Sequence, residues 1–156
     1  MLMVERELYY IAKSRLKDDD DVYDAIQETT IIAYKNIGKL KENQYFKTWL
    51  IRILINETNL IYKRNKKRNL IPFEEIANAQ SINDSSIEKS KKKLDFKFIS
   101  NKLKEEDRTI VILYYMNRFT DKEIGEVLNL KINTVKTKRT RAIQKIKNII
   151  EKGENY

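Results

Sequence analysis

The residues best suited to binding chemistry lie near the C-terminus, where polar and basic side chains recur every three or four positions. That spacing places them on one face of a helix. The set, with one flanking lysine, is Asn133, Lys136, Thr137, Lys138, Thr140 and Arg141. Lysine and arginine bind phosphate oxygens or guanine acceptors, whereas threonine and asparagine bind base edges or the thymine methyl group. The pattern predicts a helix that binds nucleic acid.

The residues before this helix predict how it is positioned. Thr120 and Glu123 fit the S/T-x-x-E pattern of a capping box, which predicts the start of a short helix. Asn129 stands where that helix ends, and asparagine tolerates the left-handed conformation that such a turn requires. A basic helix over about 132–145 follows, and the pair is typical of a helix-turn-helix. The alternative is a charged amphipathic helix that binds no nucleic acid.

A second candidate site lies in the N-terminal half, after a short polar break at 41–45. Phe46 and Trp49 share an apolar helix face, and Arg52 and Asn56 lie one turn apart on another face. Trp49 has two interpretations. It is either a core residue or an aromatic surface on which an unpaired base stacks, a contact worth roughly 1–3 kcal/mol. Spacing alone does not decide between them.

Charge is unevenly distributed along the chain. Lys and Arg number 32 against 23 Asp and Glu, which gives a net charge of +9. Residues 18–28 contain six acids and no base, whereas 63–68 contain five bases and no acid. Basic clusters bind phosphate backbones because counterions are released on binding. The plainer interpretation is a solvated charged surface, but the separation of the clusters favours a chain with both a basic protein partner and DNA.

Composition also excludes several classes of protein. The chain has no cysteine, no histidine and only three glycines. Disulfides, thiolate metal sites and the commonest general base are therefore absent. No apolar run approaches the ~20 residues needed to cross a bilayer, and the first residues do not fit a signal peptide. We expect a soluble, intracellular protein that is not an enzyme and uses neither a metal nor a cofactor.

Apolar periodicity predicts helices throughout the rest of the chain. Those before the helix-turn-helix are predicted at about 4–17, 22–40, 46–67, 94–103 and 106–118. Pro72 and the polar stretch after it interrupt the pattern. We therefore expect an all-α protein with small helical domains at 1–68 and 94–156, joined by a flexible linker at 69–93.

Two segments of the sequence resemble one family. DDDDVYDAIQET followed by FKTWLIRILIN resembles region 2 of the bacterial extracytoplasmic-function (ECF, group 4) sigma factors, and LKEEDRTIVILYYMNRFTDKEIGEVLNLKINTVKTKRTRA resembles their region 4. The resemblance covers about 7–68 and 94–150. It implies a three-helix bundle and a helix-turn-helix. It also implies a non-catalytic subunit that directs RNA polymerase to promoters and reads the −10 element with region 2 and the −35 element with region 4.

The resemblance also implies residue roles. The helix that docks on the clamp helices of the polymerase β′ subunit would carry Asp24, Gln27, Glu28 and Thr29. The −10 element would be read as a single strand by Lys41, Asn43, Tyr45, Lys47, Arg52 and Asn56. The −35 element would be read as duplex by the C-terminal set named above, and the rest of region 4 would meet the β flap.

Two positions depart from the family pattern. Lys131 stands at the N-cap of the recognition helix, where Ser or Pro is commoner, and lysine is a poor cap. Arg139 stands where the family usually has an apolar residue beneath the helix. We expect either that Arg139 extends outward towards a phosphate or that the helix is rotated.

The resemblance implies further partners and a location. The implied partners are promoter DNA, core polymerase and an anti-sigma factor. The implied location is cytoplasmic and nucleoid-associated, or near the membrane when an anti-sigma factor holds the chain there, without membrane insertion. In the free chain we expect the two halves to pack against each other or against an anti-sigma factor, which would mask both binding surfaces. Two other functions stay open: a helix-turn-helix regulator that binds duplex DNA without polymerase, and a helical adaptor with no role at DNA.

Overall fold

The computed structural model describes residues 2–69 and 101–153, and all regular secondary structure within them is helical. The α-helices given in full within these ranges are α1 (Leu2–Arg15), α2 (Asp19–Asn36), α3 (Phe46–Asn69), α4 (Glu105–Tyr115), α5 (Asp121–Leu128) and α6 (Ile132–Glu151). Single 3₁₀ turns at Ile37–Lys39 and Asn43–Tyr45 lie between α2 and α3. The predicted all-α class is confirmed. The predicted linker at 69–93 and most of the helix predicted at 94–103 lie outside the described residues.

The acidic run at the start of α2 begins that helix. Asp18 is the N-cap, and its carboxylate accepts a hydrogen bond from the Asp20 backbone N–H at 3.0 Å. Asp19, Asp20 and Asp21 occupy the first turn, where negative charge is favoured by the exposed N–H groups of the helix. The helix therefore begins at Asp19, three residues before the start predicted at about 22.

The first three helices form a bundle around an apolar core. Ile11 from α1, Val22 from α2 and Leu54 from α3 are completely buried, and Ile51 is nearly so. Burying side chains of this size stabilises a fold by about 1.5–3 kcal/mol each. This core fixes the outward faces of α2 and α3, which carry the predicted polymerase and −10 residues.

The C-terminal helices form a helix-turn-helix whose turn follows the prediction. The Thr120 hydroxyl accepts from the Glu123 N–H at 3.2 Å, and the Glu123 carboxylate accepts from the Thr120 N–H at 2.7 Å, which completes the capping box. Asn129 adopts the left-handed conformation, with φ of 56°. Leu130 N–H then donates to the Gly125 carbonyl at 2.9 Å. Both the predicted cap and the predicted turn are confirmed.

The two halves pack against each other, α1 against α4 and α3 against α5. Ile11 and Leu54 of the first half belong to the same buried cluster as Ile110 and Leu113 of the second half. The predicted packing of one half on the other is thus observed. The masking expected to accompany it is wrong for the −35 residues, because the outward face of α6 stays exposed.

Gly125 provides a test of the turn. A Cβ at this position would lie 2.6 Å from the Leu130 carbonyl oxygen, whereas a Cβ at Gly38 would meet nothing within 4 Å. Gly125→Ala gains up to about 1 kcal/mol of helix propensity but incurs overpacking of about 1–3 kcal/mol. We expect a net destabilisation of about 1–2 kcal/mol in urea unfolding. Gly38→Ala is the matched control and should be neutral or slightly stabilising; equal effects at both sites would contradict the turn geometry.

Candidate nucleic-acid and protein interfaces

The outward face of α6 presents a continuous polar surface. Lys136, Thr137, Thr140 and Arg141 are exposed and line a shallow depression of about 330 Å³. Asn133 is also exposed, one turn earlier. Two cations flanking two hydroxyls have the chemistry for phosphate binding at the edges and for base-edge hydrogen bonding between them. The structure therefore brings together five of the six residues predicted for duplex reading.

The Thr137 hydroxyl forms a hydrogen bond within its own helix. Its hydroxyl donates to the Asn133 carbonyl at 2.9 Å. With the proton used there, the oxygen has lone pairs that face outward as acceptors. A threonine in this state reads amino groups of adenine or cytosine, or contacts a thymine methyl, in preference to base acceptors.

Lys138 belongs to the predicted set but has an intramolecular partner. Its ammonium lies 2.6 Å from Glu106 Oε2 and 3.9 Å from Asp107 Oδ1 on α4. The hydrogen bond to Glu106 raises the pKa of Lys138 above its ordinary value, an effect opposed by partial desolvation. In this arrangement Lys138 fastens α6 to α4 and is directed away from the exposed set.

Arg139 follows neither of the two alternatives expected from the sequence. Its Nε and Nη2 each lie 2.9 Å from a carboxylate oxygen of Asp121 at the start of α5. Its guanidinium also lies over the Tyr114 ring, 4.1 Å from the ring centroid. The hydrogen bond to Asp121 raises the pKa of Arg139 above its ordinary value. Arg139 thus forms a bidentate ion pair beneath α6.

The predicted −10 residues occupy the 3₁₀ turn before α3 and the first half of α3. Lys41, Asn43 and Tyr45 are exposed around the turn, and Arg52 and Asn56 are exposed on α3. Exposed basic, amide and aromatic groups in series are the features of a surface that binds a single strand. These five residues are available to a ligand without rearrangement of the fold.

The aromatic pair at the start of α3 is half-buried. Trp49 packs against the core, and its ring centroid lies 6.0 Å from that of Phe46. The core interpretation of Trp49 is therefore confirmed. Stacking of an unpaired base on the remaining exposed surface of Trp49 stays a prediction.

Lys47 differs from the other −10 residues because its side chain reaches the second half of the chain. Its ammonium lies 3.1 Å from Glu7 Oε2 and donates to the Asn117 carbonyl at 3.3 Å. It also lies 5.8 Å from the centroid of the Phe119 ring. Lys47 is the predicted −10 residue that connects to the opposite half.

The predicted polymerase face of α2 is acidic and open. Asp24, Gln27 and Glu28 are exposed, and among the described residues neither carboxylate has an ion-pair partner. Thr29 does not join them, because it is completely buried and its hydroxyl donates to the Ala25 carbonyl at 2.7 Å. Burial of Thr29 therefore assigns it to the helix packing, and the exposed face consists of the other three residues.

Glu57 on α3 extends this acidic face and was not selected from the sequence. Burial raises the pKa of Glu57 above its ordinary value, and the charge of Glu28 raises it further. Glu57 on α3 therefore lies near enough to Glu28 on α2 for their charges to repel. Exposed Ile31 and Tyr34 lie further along α2. A basic partner surface would relieve the repulsion between the carboxylates.

The basic cluster near the end of α3 lies on the surface. Its residues at positions 63, 66, 67 and 68 are exposed, and none of them has an assigned role. Within the described ranges, no group of three or more His, Cys, Asp or Glu side chains is placed to hold a metal ion. In those same ranges no helix is both long enough and apolar enough to cross a membrane.

Comparison with known proteins identifies relatives of both halves. Residues 2–68 match the family model of Sigma-70 region 2, and residues 98–146 match that of Sigma-70, region 4. The ECF RNA polymerase sigma factor SigW of Bacillus subtilis is 31% identical over 147 residues, covering 85% of this chain and 76% of the relative. The ECF RNA polymerase sigma factor SigM of the same organism is 24% identical, covering 98% and 94%.

Two solved structures share the fold. The sigma factor RpoE of Bartonella quintana, crystallised with the anti-sigma factor NepR, superposes with a TM-score of 0.72 at 24% identity over 96% of this chain and 93% of that one. CnrH, in complex with the cytosolic domain of CnrY, superposes with a TM-score of 0.62 at 20% identity over 93% and 80%. Because the superpositions cover 96% and 93% of this chain, each includes residues of both halves.

The ion pair beneath α6 yields a direct test. Arg139→Met and Asp121→Asn each remove one partner of a mostly buried pair, so each should destabilise the chain. The double variant should cost less than the sum, with a coupling free energy of about 1–3 kcal/mol in urea unfolding. Lys138→Met with Glu106→Gln, a more exposed pair, is the comparison and should couple by less than about 1 kcal/mol. Additive effects of the Arg139 and Asp121 substitutions would contradict the anchoring role.

Proposed function

Because the chain belongs to the ECF family of RNA polymerase sigma factors, we propose how its exposed faces divide polymerase binding and promoter reading. The chain is a sigma factor that directs core polymerase to promoters by reading −10 and −35 elements. The observation that carries the proposal is the exposure of an acidic face on α2 and a basic face on α6, at opposite ends of one chain.

The −35 element is read by α6. Lys136 and Arg141 bind phosphates or guanine acceptors, and Asn133, Thr137 and Thr140 lie between or beside them to contact base edges. Support comes from their common exposure on one helix face and from the width of the DNA major groove, which admits an α-helix. Lys138 contributes mainly by holding α6 on α4, since its ammonium is bonded to Glu106.

The −10 element is bound as a single strand by the 3₁₀ turn and α3. Tyr45 offers a stacking surface, and Lys41 and Arg52 neutralise phosphates, while Asn43 and Asn56 offer amide groups to base edges. Support comes from the exposure of these five side chains. Lys47 would join them once it leaves the Asn117 carbonyl.

Core polymerase is bound chiefly through α2. Asp24, Gln27 and Glu28 form the docking face, and the adjacent Glu57 adds negative charge. An acidic, amide-bearing face suits a basic coiled coil such as the β′ clamp helices, and charge complementarity mainly sets the association rate and the specificity. Region 4 would contact the β flap. We place the domain boundaries at 1–68 and 94–156, with the linker at 69–93.

The chain supplies recognition, while polymerase supplies catalysis. We propose that it is not an enzyme, acts in the cytoplasm at the nucleoid, and is bound by an anti-sigma factor, as the sigma factor RpoE of Bartonella quintana is bound by NepR. If the chain were a helix-turn-helix regulator that works without polymerase, the acidic face of α2 would have no partner.

Run-off transcription with purified core enzyme tests the proposed function. Promoter-specific products should require this chain, and duplex binding without initiation would refute the proposal.

The assignment of polymerase binding to α2 and of −35 reading to α6 predicts opposite phenotypes for two double variants. Gln27→Ala with Glu28→Ala should weaken core-enzyme binding about tenfold or more, because two docking contacts are lost. Lys136→Ala with Arg141→Ala should leave core binding unchanged and reduce transcription that depends on the −35 element. Fluorescence titration with core enzyme and run-off assays measure the two effects.

A charge-matched control separates specific contacts from net charge. Lys147→Ala with Lys152→Ala removes two exposed cations from the end of α6 and the residue after it, and it should affect −35-dependent transcription much less. Similar behaviour of all three double variants would refute the assignment of faces.

Salt dependence tests the phosphate contacts. Binding of this chain to a −35 duplex should weaken steeply between 50 and 200 mM salt, because each neutralised phosphate contributes roughly −0.9 to the slope of log K against log salt. Lys136→Ala and Arg141→Ala should each reduce the magnitude of that slope by about one. Fluorescence anisotropy at a series of salt concentrations measures it, and a slope near zero would favour an adaptor that does not bind DNA.

A further inference from the structure

The turn between α4 and α5 contains an arginine in an uncommon backbone conformation. Arg118 has a φ of 57°, in the left-handed region, and its side chain is exposed. Glycine enters this region freely, whereas a residue with a Cβ atom seldom does, apart from asparagine, aspartate and histidine. Residues held in such conformations cluster at functional sites. The charge of Arg118 is therefore a candidate for a function that offsets its backbone strain.

Contacts on either side of Arg118 hold this backbone in place. Asn117 and Phe119 are both buried. The Asn117 N–H donates to the Ile112 carbonyl at 3.2 Å, and the Phe119 N–H donates to the Leu113 carbonyl at 3.0 Å. Because both neighbours are anchored, the turn fixes the point at which the Arg118 side chain leaves the surface.

The acids nearest to this turn are already engaged within the chain. Asp121, the first residue of α5, forms the bidentate pair with Arg139. The Glu123 carboxylate accepts from the Thr120 N–H at 2.7 Å and lies 3.0 Å from the Thr120 hydroxyl oxygen. Arg139 compensates the charge of Asp121, and both carboxylates are held by partners, which reduces the repulsion that an approaching anion would meet.

The cations at this end of α5 are unpaired. Arg118 and Lys122 are both exposed, and within the described ranges neither has an ion-pair partner. Glu126 is also exposed, but it lies one turn further along α5. Arg118 and Lys122 therefore form a basic patch at the start of α5. Arginine and lysine side chains that lack an acidic partner are well suited to bind phosphate.

The basic patch lies beside the exposed face of α6. Lys136 and Arg139 are three positions apart and are therefore neighbours on the surface of that helix. Because Arg139 is bonded to Asp121, the first turn of α5, which contains Lys122, lies next to the Lys136 edge of α6. In a helix-turn-helix bound to duplex DNA, the second helix enters the major groove while the first crosses the backbone. The patch is thus on a side along which a phosphate backbone would run.

We propose that Arg118 and Lys122 form a second phosphate-binding surface, which binds the backbone of the duplex beside the groove that α6 enters. The proposal rests on the proposed function, because the duplex read by α6 comes from it. Phosphate contacts fix the position of a protein on the duplex but carry no sequence information directly. The two cations therefore add affinity for any duplex, whereas preference for the −35 sequence stays with the exposed face of α6.

Arg118→Gly separates binding from folding, because glycine removes the charge and the backbone strain together. The variant should be at least as stable as the wild-type chain in urea unfolding. It should nevertheless bind a short random-sequence DNA duplex about threefold or more weakly, since one phosphate contact is lost. The magnitude of the slope of log K against log salt should fall by about one. Fluorescence anisotropy at a series of salt concentrations measures both effects.

Three further variants complete the test. Lys122→Ala removes the other cation from an exposed helical position where alanine is favourable, and it should lower the affinity and the slope by similar amounts. Arg118→Lys keeps the charge and should retain the slope. Lys35→Ala removes an exposed cation of α2, in the other half, and should leave both quantities unchanged.

Two results would overturn the proposal. The first is unchanged binding of the random-sequence duplex in either Arg118→Gly or Lys122→Ala. The second is an equal loss in Lys35→Ala, because the effect would then belong to net charge alone. Lys122→Ala keeps the proposal falsifiable if the glycine variant folds poorly.

A second duplex separates this proposal from the proposed function. Arg118→Gly and Lys122→Ala should weaken binding of a duplex that carries a promoter transcribed with this chain by the same factor as binding of the random-sequence duplex. A much larger loss on the promoter duplex would indicate base reading and overturn the phosphate assignment. Failure of the wild-type chain to support transcription would refute the proposed function, while the salt slopes on the random-sequence duplex would still decide the role of the two cations.

Discussion

The separation of two promoter elements is the constraint on which this structure depends. A chain that reads both must present two binding faces much further apart than its own compact diameter, yet each half must bury enough apolar surface to stay folded. The observed arrangement meets the second requirement with a core that is continuous across both halves. The halves are joined by that core and by a few polar contacts, Ser14 with Thr109 and Lys47 with the Asn117 carbonyl among them. The first requirement is met only if the halves separate when both elements are bound.

The charges of α6 are divided between holding the helix and binding DNA. Lys138 and Arg139 form ion pairs with Glu106 and Asp121 beneath the helix, whereas Lys136 and Arg141 face solvent. Consecutive residues of a helix point in directions about 100° apart, so a basic run is necessarily distributed around the helix. The same helix therefore contains its own anchors, and its orientation is set by Asp121 at the start of α5 and by acids on α4.

Local patterns in the sequence were sufficient to predict some of this architecture. The capping box of Thr120 and Glu123 and the left-handed Asn129 depend on residues within one or two turns, so the sequence contains the whole interaction. The exposed face of α6 followed from helical periodicity alone, because one side of that helix is apolar and the other is polar.

Contacts between segments distant in the sequence could not be predicted from local patterns. Arg139 pairs with Asp121, eighteen positions earlier, and Lys138 pairs with acids on a separate helix. Neither partner could be predicted from the spacing of residues in the sequence. Thr29 has the polarity of a surface residue but satisfies its hydroxyl within its own helix and is buried. Glu57 joins the acidic face only because α2 and α3 pack side by side.

The most direct test of the account is the distance between the halves in the free chain and in the promoter complex. Tyr62→Cys on α3 and Asn148→Cys on α6 replace exposed residues and accept spin labels without competing thiols in this chain. Pulsed electron–electron distance measurements should give less than about 40 Å for the free chain and a substantially longer distance once it is bound to core polymerase and two-element promoter DNA. The same short distance in both states would contradict the account.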